Sequence, residues 1–245
     1  MSRRGLTANG VKLLACLSML VDHTGYLLFP QLEWLRWIGR LALPLFAFMV
    51  AEGCRHTHNR RRYFLRMLGL GLACQLVYLA EGLPHGGTTA ILLNILLTLS
   101  AAQLICFAWL DWESAYRQRQ GQGIALLRFL LTVAACTAVN AFGLTLAPLI
   151  GVTVVFDYGL AGMLLPLFAL LFTGRIPRLL SFAVGVVMLC FSLCRQMPYC
   201  WFALLALPIL ALYNGRRGSH RLQVWFYAFY PAHLAVLYGI QLLFW

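Results

Sequence analysis

Charge is what this sequence has least of, and negative charge least of all. Charged residues make up 11% of the chain and only seven residues are acidic, against about a quarter charged in soluble domains. An ordinary water-soluble globular fold is thereby excluded. A soluble domain, an internal repeat, a low-complexity stretch and a CxxC pair are all lacking. The Walker A pattern, the Rossmann glycine fingerprint, HExxH and GxSxG are absent too, which argues against a phosphate-fuelled pump and a conventional hydrolase. No metal is expected.

What is present is apolar, with 62% of residues hydrophobic. Apolar runs between polar breaks predict an all-α, polytopic membrane helix bundle, one domain over residues 1–245. Its nine helices fall at about 9–29, 35–54, 63–80, 90–110, 124–142, 157–173, 178–194, 198–213 and 222–244. Eight to ten fit the pattern, because Leu144 to Phe156 is too apolar for a loop and too short to span. A re-entrant segment is one reading of that stretch. The first run is as long as a span, carries Asp22 and His23, and lacks a small-residue cleavage site before Pro30. It reads as a first helix rather than a signal peptide.

The net charge of +12 raises nucleic acid as a partner, but the basic residues sit in short loops between apolar runs, where Lys and Arg set membrane orientation. With the N-terminus inside, the inner loops take Arg3, Arg4, Lys12, Arg55, Arg60, Arg61, Arg62, Arg66, Arg117, Arg119, Arg128, Arg175, Arg178, Arg216, Arg217 and Arg221. Those are sixteen of 19 basic residues, leaving Arg36, Arg40 and Arg195 outward. An N-in, C-out protein without a nucleic-acid partner is expected. Of the eight cysteines, Cys16, Cys74, Cys106 and Cys136 lie inside apolar runs and read as packing residues. Cys194 and Cys200 flank a predicted outer loop, where a disulfide is conceivable.

Chemistry concentrates between Leu17 and Arg62. Two apolar segments there hold Asp22, His23, Arg40 and Glu52, and a basic cluster follows. A charge at a helix centre in lipid costs about 2.5–3.5 kcal/mol on insertion scales, so such residues mark a buried polar site. Counting along the helices puts Asp22, His23 and Arg40 at one level, about 8–10 Å below the outer surface. Asn94 and Asp157 fall near the outer ends of their helices, Gln75 in an outer half, and His233 near mid-membrane beside Pro231. Asp22 shares a helix face with Ser18 and Gly25, and His23 shares another with Met19 and Tyr26. An imidazole facing a cavity, with Asp22 locking neighbouring elements, is one consistent arrangement. A structural Asp22–Arg40 ion pair with a merely hydrogen-bonded His23 is the other.

At the inner end, Glu52, Arg55 and His56 share a helical face, followed by Arg60, Arg61 and Arg62. The cluster is either a positive-inside anchor on anionic lipid or a docking site for a phosphorylated cytosolic ligand, whose oxygens suit arginine forks.

Five pieces of sequence carry a family resemblance: KLLACLSMLVDHTGY at Lys12–Tyr26, RWIGRLALPLFAFMVAEGCRHTHNRRRYFLR at Arg36–Arg66, LNIL at Leu93–Leu96, DYGLAGMLL at Asp157–Leu165 and FYPAHLAVLYGI at Phe229–Ile240. Together they resemble the TraX family, named for a conjugative-plasmid protein that acetylates pilin. The family in turn is similar to a wider group of integral-membrane acyltransferases that includes heparan-α-glucosaminide N-acetyltransferase.

That resemblance implies acetyl transfer in the bacterial cytoplasmic membrane, from cytosolic acetyl-CoA to an acceptor at or beyond the membrane. Pilin, a cell-surface glycan and a small molecule are all open as that acceptor. It implies a central helix 1 histidine, His23, and a helix 2 arginine, Arg40, with Asp22 or Asp157 orienting them. Asn94, Asp157, Tyr158, Tyr230 and His233 are expected on the acceptor side. Glu52, Arg55, His56, Arg60, Arg61 and Arg62 are expected at the CoA end. His23 would act as base or acetyl carrier, and Arg40 would stabilise the oxyanion. Two other readings stay open at this point: a proton-coupled carrier, whose relay would be the same residues, and a non-catalytic pilus assembly factor.

Overall fold

The computed structural model describes residues 5–82, 90–145, 149, 153–194, 197–219 and 222–244. Arg3, Arg4, Arg195 and Arg221, used above for orientation, lie outside the described residues, as do positions 146–148 and 150–152. The described chain is mostly helix, in two compact units: Met1–Met49 with Arg175–Trp245, and Val50–Gly174.

In the first unit, α1 (Ala8–Leu27) starts at Thr7, whose hydroxyl accepts from Gly10 N–H at 3.3 Å. It packs on α2 (Glu33–Gly39) and on α10 (Leu222–Phe244). The single helix expected at 35–54 is two, because α3 (Ala42–His56) begins after a break at Arg40 and Leu41. Pro44 explains the break: it has no N–H to offer the Arg40 carbonyl, and its ring would crowd that carbonyl in a continuous helix. The break leaves Arg40 at the end of α2. Further on come α8 (Arg175–Leu193), a 3-10 helix (Pro198–Leu205) and α9 (Ala206–Ala211). Pro208 plays the same part there, depriving the Leu204 carbonyl of its partner and favouring the tighter 3-10 winding. The core of this unit includes Val11, Ala15, Leu45, Phe182, Val186 and Leu189, all nearly inaccessible.

In the second unit, α5 (Ile95–Gln118) is the central helix, packed on α4 (Arg60–Gly82), α6 (Gln122–Thr145) and α7 (Gly159–Phe168). The all-α expectation needs correcting here. Ala90–Leu93 (β1) and Thr153–Phe156 (β2) pair in parallel, Leu93 opposite Phe156. The Leu144–Phe156 stretch therefore ends in a strand. Its Thr153, Val154 and Val155 favour extended backbone, and pairing satisfies polar groups that an apolar surrounding would leave unmet. Gly143 lets α6 approach this strand, since a Cβ there would collide with the Val154 carbonyl.

Among the described residues, five helical stretches are long and apolar enough to cross a membrane: Glu33–His56, Ile95–Gln118, Gln122–Thr145, Arg175–Leu193 and Trp225–Leu243. Helices α1 and α4 fall outside that set, and the expected helices at 157–173 and 198–213 are shorter segments. Pro166 sits in the last turn of α7. Helix α6 leaves Ile124, Leu127, Leu130, Leu131, Val139 and Phe142 exposed. A water-soluble monomer rarely shows so continuous an apolar face, so the chain has the character of a membrane protein.

Candidate functional site

The α1–α2 contact assembles the charged part of the site. Ser18, Asp22 and Gly25 recur on one face of α1, and that face meets α2. The Ser18 hydroxyl donates to the Ile38 carbonyl at 2.7 Å. A Cβ on Gly25 would lie 2.6 Å from Leu35 Cβ, and a Cβ on Gly39 would run into the Asp22 carboxylate. Two glycines thus let the helices approach closely enough for Asp22 to be gripped. Arg40 Nη2 donates to Asp22 Oδ1 at 2.5 Å, and Arg36 Nη1 donates to Asp22 Oδ2 at 2.8 Å and to the Asp22 carbonyl at 3.1 Å.

Asp22 and Arg40 were expected together, and they are. Arg36 was not among the expected site residues, although it stands four positions before Arg40 and so shares its helix face. Its side chain is 20% exposed against 4% for Arg40. Arg40 is spoken for on every side: Nε donates to the Arg36 carbonyl at 3.2 Å, Nη1 to Met197 Sδ at 3.4 Å, and Cζ lies over the Tyr199 ring, 5.7 Å from its centre. One carboxylate facing two guanidiniums leaves the cluster with an excess positive charge.

The neighbouring face of α1 carries His23 to α10. His23 Nδ1 lies 2.8 Å from His233 Nε2, and His233 Nδ1 lies 2.8 Å from the Phe229 carbonyl one turn earlier. His233 is buried, with the Phe229 ring stacked nearly parallel to it at 4.9 Å and the Tyr230 ring edge-on at 5.6 Å. The sequence placed His23 and His233 at somewhat different depths; the structure brings them into contact.

The remaining expected residues belong to the second unit. Asn94 caps α5 with Oδ1 accepting from Leu96 N–H at 3.0 Å, while its amide donates to the Gly71 carbonyl at 2.8 Å and to Gln75 Oε1 at 3.0 Å. Gln75 in turn donates to the Leu92 carbonyl at 3.0 Å. Asp157 continues the strand pairing through its N–H to the Leu93 carbonyl at 2.9 Å, and its carbonyl accepts from the Thr98 hydroxyl at 2.9 Å. Tyr158 turns the chain into α7 in left-handed backbone, φ 60°, with Gly159 following at φ 52°. A tyrosine held there stores strain of order 1–3 kcal/mol.

The basic cluster divides. Arg55 donates to the Leu170 carbonyl at 2.9 Å and lies 3.8 Å from Glu113, which also binds Arg117 at 2.7 Å. Arg60 pairs with Asp111 and stands over the Phe107 ring. Glu52 is buried, with the exposed His56 imidazole at 3.8 Å. Arg61 and Arg62, by contrast, line an open groove of about 380 Å³ with Asn59, Leu65 and Arg66. Its three arginines have no acidic partner among the described residues. Asn59 Oδ1 accepts from Arg62 N–H at 2.8 Å and so caps the start of α4.

The cysteines are free thiols. Cys194 Sγ donates to the Phe191 carbonyl, whereas Cys190 and Cys200 each donate to the other's carbonyl at 3.3 Å.

The pattern of the family described as "TraX protein" matches residues 7–241. The chain belongs to the TraX family. Protein TraX of Escherichia coli is 29% identical over 157 residues, 63% of this chain and 52% of that protein. The "Probable fimbrial assembly protein FimC, serogroup H1" of Dichelobacter nodosus is 36% identical over 72 residues, 28% of this chain and 30% of its own length. The chain thus aligns with about half of that TraX protein and under a third of the fimbrial one. No solved structure matches.

Proposed function

We propose that this TraX-family protein is an N-in membrane acetyltransferase that moves an acetyl group from cytosolic acetyl-CoA to an amine or hydroxyl acceptor at or beyond the membrane. One observation carries the reading: half-buried His23 is tied through one ring nitrogen to buried His233, beside a carboxylate held by two arginines. The other ring nitrogen of His23 has no hydrogen-bond partner among the described residues. Such a nitrogen can take a proton from the acceptor or carry the acetyl group. Arg36, more exposed than Arg40, is the better donor to the oxyanion that forms on the acetyl carbonyl. Arg40 and Asp22 hold the helices that present both groups.

Acetyl-CoA enters as substrate, and its phosphates require cations not already matched by acids. Arg61, Arg62 and Arg66 in the α4 groove fit that requirement. Arg55 and Arg60 are engaged by Leu170, Glu113 and Asp111 and serve structure instead. The relatives' names favour a pilin or fimbrial subunit as acceptor, with a cell-surface sugar next.

The test is release of free CoA thiol from acetyl-CoA by purified protein in detergent, wild type beside His23→Ala, with donor binding measured in parallel. Slow acceptor-free release or self-acetylation, lost in the variant, supports the reading. Turnover that survives in His23→Ala removes His23 from the chemistry. A second reading, a non-catalytic pilus assembly factor, is favoured by the fimbrial assembly relative and by the locking role of Asp22. Complementation of pilus formation by a His23→Ala, Arg40→Ala double variant would establish it.

A further inference from the structure

The histidine pair has a direction, and the Phe229 carbonyl sets it. A carbonyl oxygen only accepts, so at 2.8 Å His233 Nδ1 must carry the hydrogen. In a neutral imidazole the other nitrogen then bears the lone pair, which makes His233 Nε2 an acceptor. The only hydrogen available for the 2.8 Å contact is on His23 Nδ1. His23 is then left with its lone pair on Nε2. The ring geometry agrees. The two ring centres are 5.0 Å apart with planes 28° from each other. That separation is close to the nitrogen–nitrogen distance plus the two ring radii, as for an in-plane, edge-to-edge N–H···N bond; face-to-face stacking would bring the centres much nearer.

We infer that His233 is the positioning residue for His23: the chain from Phe229 carbonyl through His233 fixes His23 as the Nδ1–H tautomer and presents Nε2 as its reacting atom. Carboxylates commonly orient catalytic histidines, but Asp22 is saturated by Arg36 and Arg40 here, and a neutral imidazole takes over the orienting task. The naming of Nε2 as reacting atom rests on the acetyl-transfer reading; the tautomer does not.

In that step the acceptor's proton moves to His23 Nε2 as the acceptor's lone pair bonds to the acetyl carbonyl carbon. The C–S bond breaks, and the departing CoA thiolate takes the proton back from Nε2. Throughout, Nδ1–H stays on His233 Nε2 and spreads the transient positive charge over two rings. No external oxidant or metal is needed for the balance.

The experiment is nitrogen-15 NMR of histidine-labelled protein in lipid nanodiscs, which reads the protonated ring nitrogen directly without turnover. His23→Ala identifies the His23 resonances among the six histidines. Wild type is expected to show His23 protonated on Nδ1. His233→Phe keeps the ring volume but removes the acceptor, and is expected to shift His23 toward Nε2–H. Turnover should then fall on the order of 10²-fold, with the KM for acetyl-CoA changed less than about twofold. His233→Gln, whose Oε1 reaches near the position of Nε2, is expected to restore the Nδ1–H tautomer and much of the rate. Nε2–H in wild type, or an unchanged tautomer in a folded His233→Phe, overturns the inference. An Nδ1–H tautomer in a protein that never turns over acetyl-CoA would retain the orienting pair while removing acetyl transfer.

Discussion

The two units handle charge in opposite ways. In the first, Asp22, Arg36 and Arg40 satisfy one another at 2.5–2.8 Å, and Arg40 also spends its other donors on a carbonyl and a thioether. In the second, Arg61, Arg62 and Arg66 stand in an open groove without an acidic partner among the described residues. A closed set fixes geometry, because each partner restrains the other. An open set recruits something from outside, because its charge is unmatched. The contrast also separates Arg60 from its neighbours: its pair with Asp111 is exposed on both sides, and such pairs contribute about 0–1 kcal/mol.

The largest effect should come from His23, the histidine beside the closed set. His23→Ala is expected to lower CoA release by on the order of 10²–10⁴-fold while the gel-filtration profile stays put; a fall of less than tenfold would move the chemistry elsewhere. Next comes the lock itself. Asp22→Ala leaves two guanidiniums facing each other, and removing one partner of a buried pair costs about 3–5 kcal/mol. Thermal unfolding in detergent should show the loss, and Gly39→Ala should show it too by displacing the same carboxylate. Charge reversal at exposed Arg60 would do far less.

The open set should respond in binding rather than stability. Replacing Arg61, Arg62 and Arg66 by alanine is expected to raise the KM for acetyl-CoA by about tenfold, or about 1.4 kcal/mol. The unfolding temperature should be unchanged, and the wild-type KM should rise with salt. If melting shifts and KM does not, these arginines are structural and the contrast fails. The smallest effect concerns Gln103, fully buried on α5 with neither amide atom hydrogen-bonded among the described residues. Such unmet groups cost about 1–3 kcal/mol, so Gln103→Met should raise stability modestly by the same melting assay. A variant that is more stable but turns over more slowly would show that the amide meets a ligand.

Much of this was legible in the sequence, because hydropathy and helical period act locally. Helix α10 lies at 222–244 as expected, and α1 within two residues of its expected ends. The shared face of Ser18, Asp22 and Gly25 and the common depth of Asp22 and Arg40 followed from helical period and rise, with their ion pair one of two arrangements left open. Pro44 was visible but its consequence was missed, since helix-breaking depends on which carbonyl it faces. The strand pair was harder: the paired positions of AILL and TVVF are 63 residues apart, 90 against 153, and only tertiary contact distinguishes such short apolar runs from helix. Arg36 was counted only as an outward charge at the start of the expected helix 35–54, because topology counting treats every arginine alike. Likewise, nothing local separates Arg55 and Arg60 from Arg61 and Arg62; Leu170, Glu113 and Asp111 do so from elsewhere in the chain.

The parallel pairing of Ala90–Leu93 with Thr153–Phe156 has a mechanical consequence. Each strand runs within two residues into a helix, β1 into α5 and β2 into α7, and those helices pack side by side. A one-residue slip of the strands would turn every side chain to the opposite face, so the ladder acts as a ratchet stop. Helices that rearrange by shear slide along one another, sometimes by a full turn of 5.4 Å. Helices α5 and α7 cannot do so without breaking four residues of pairing, and must move as a single lever.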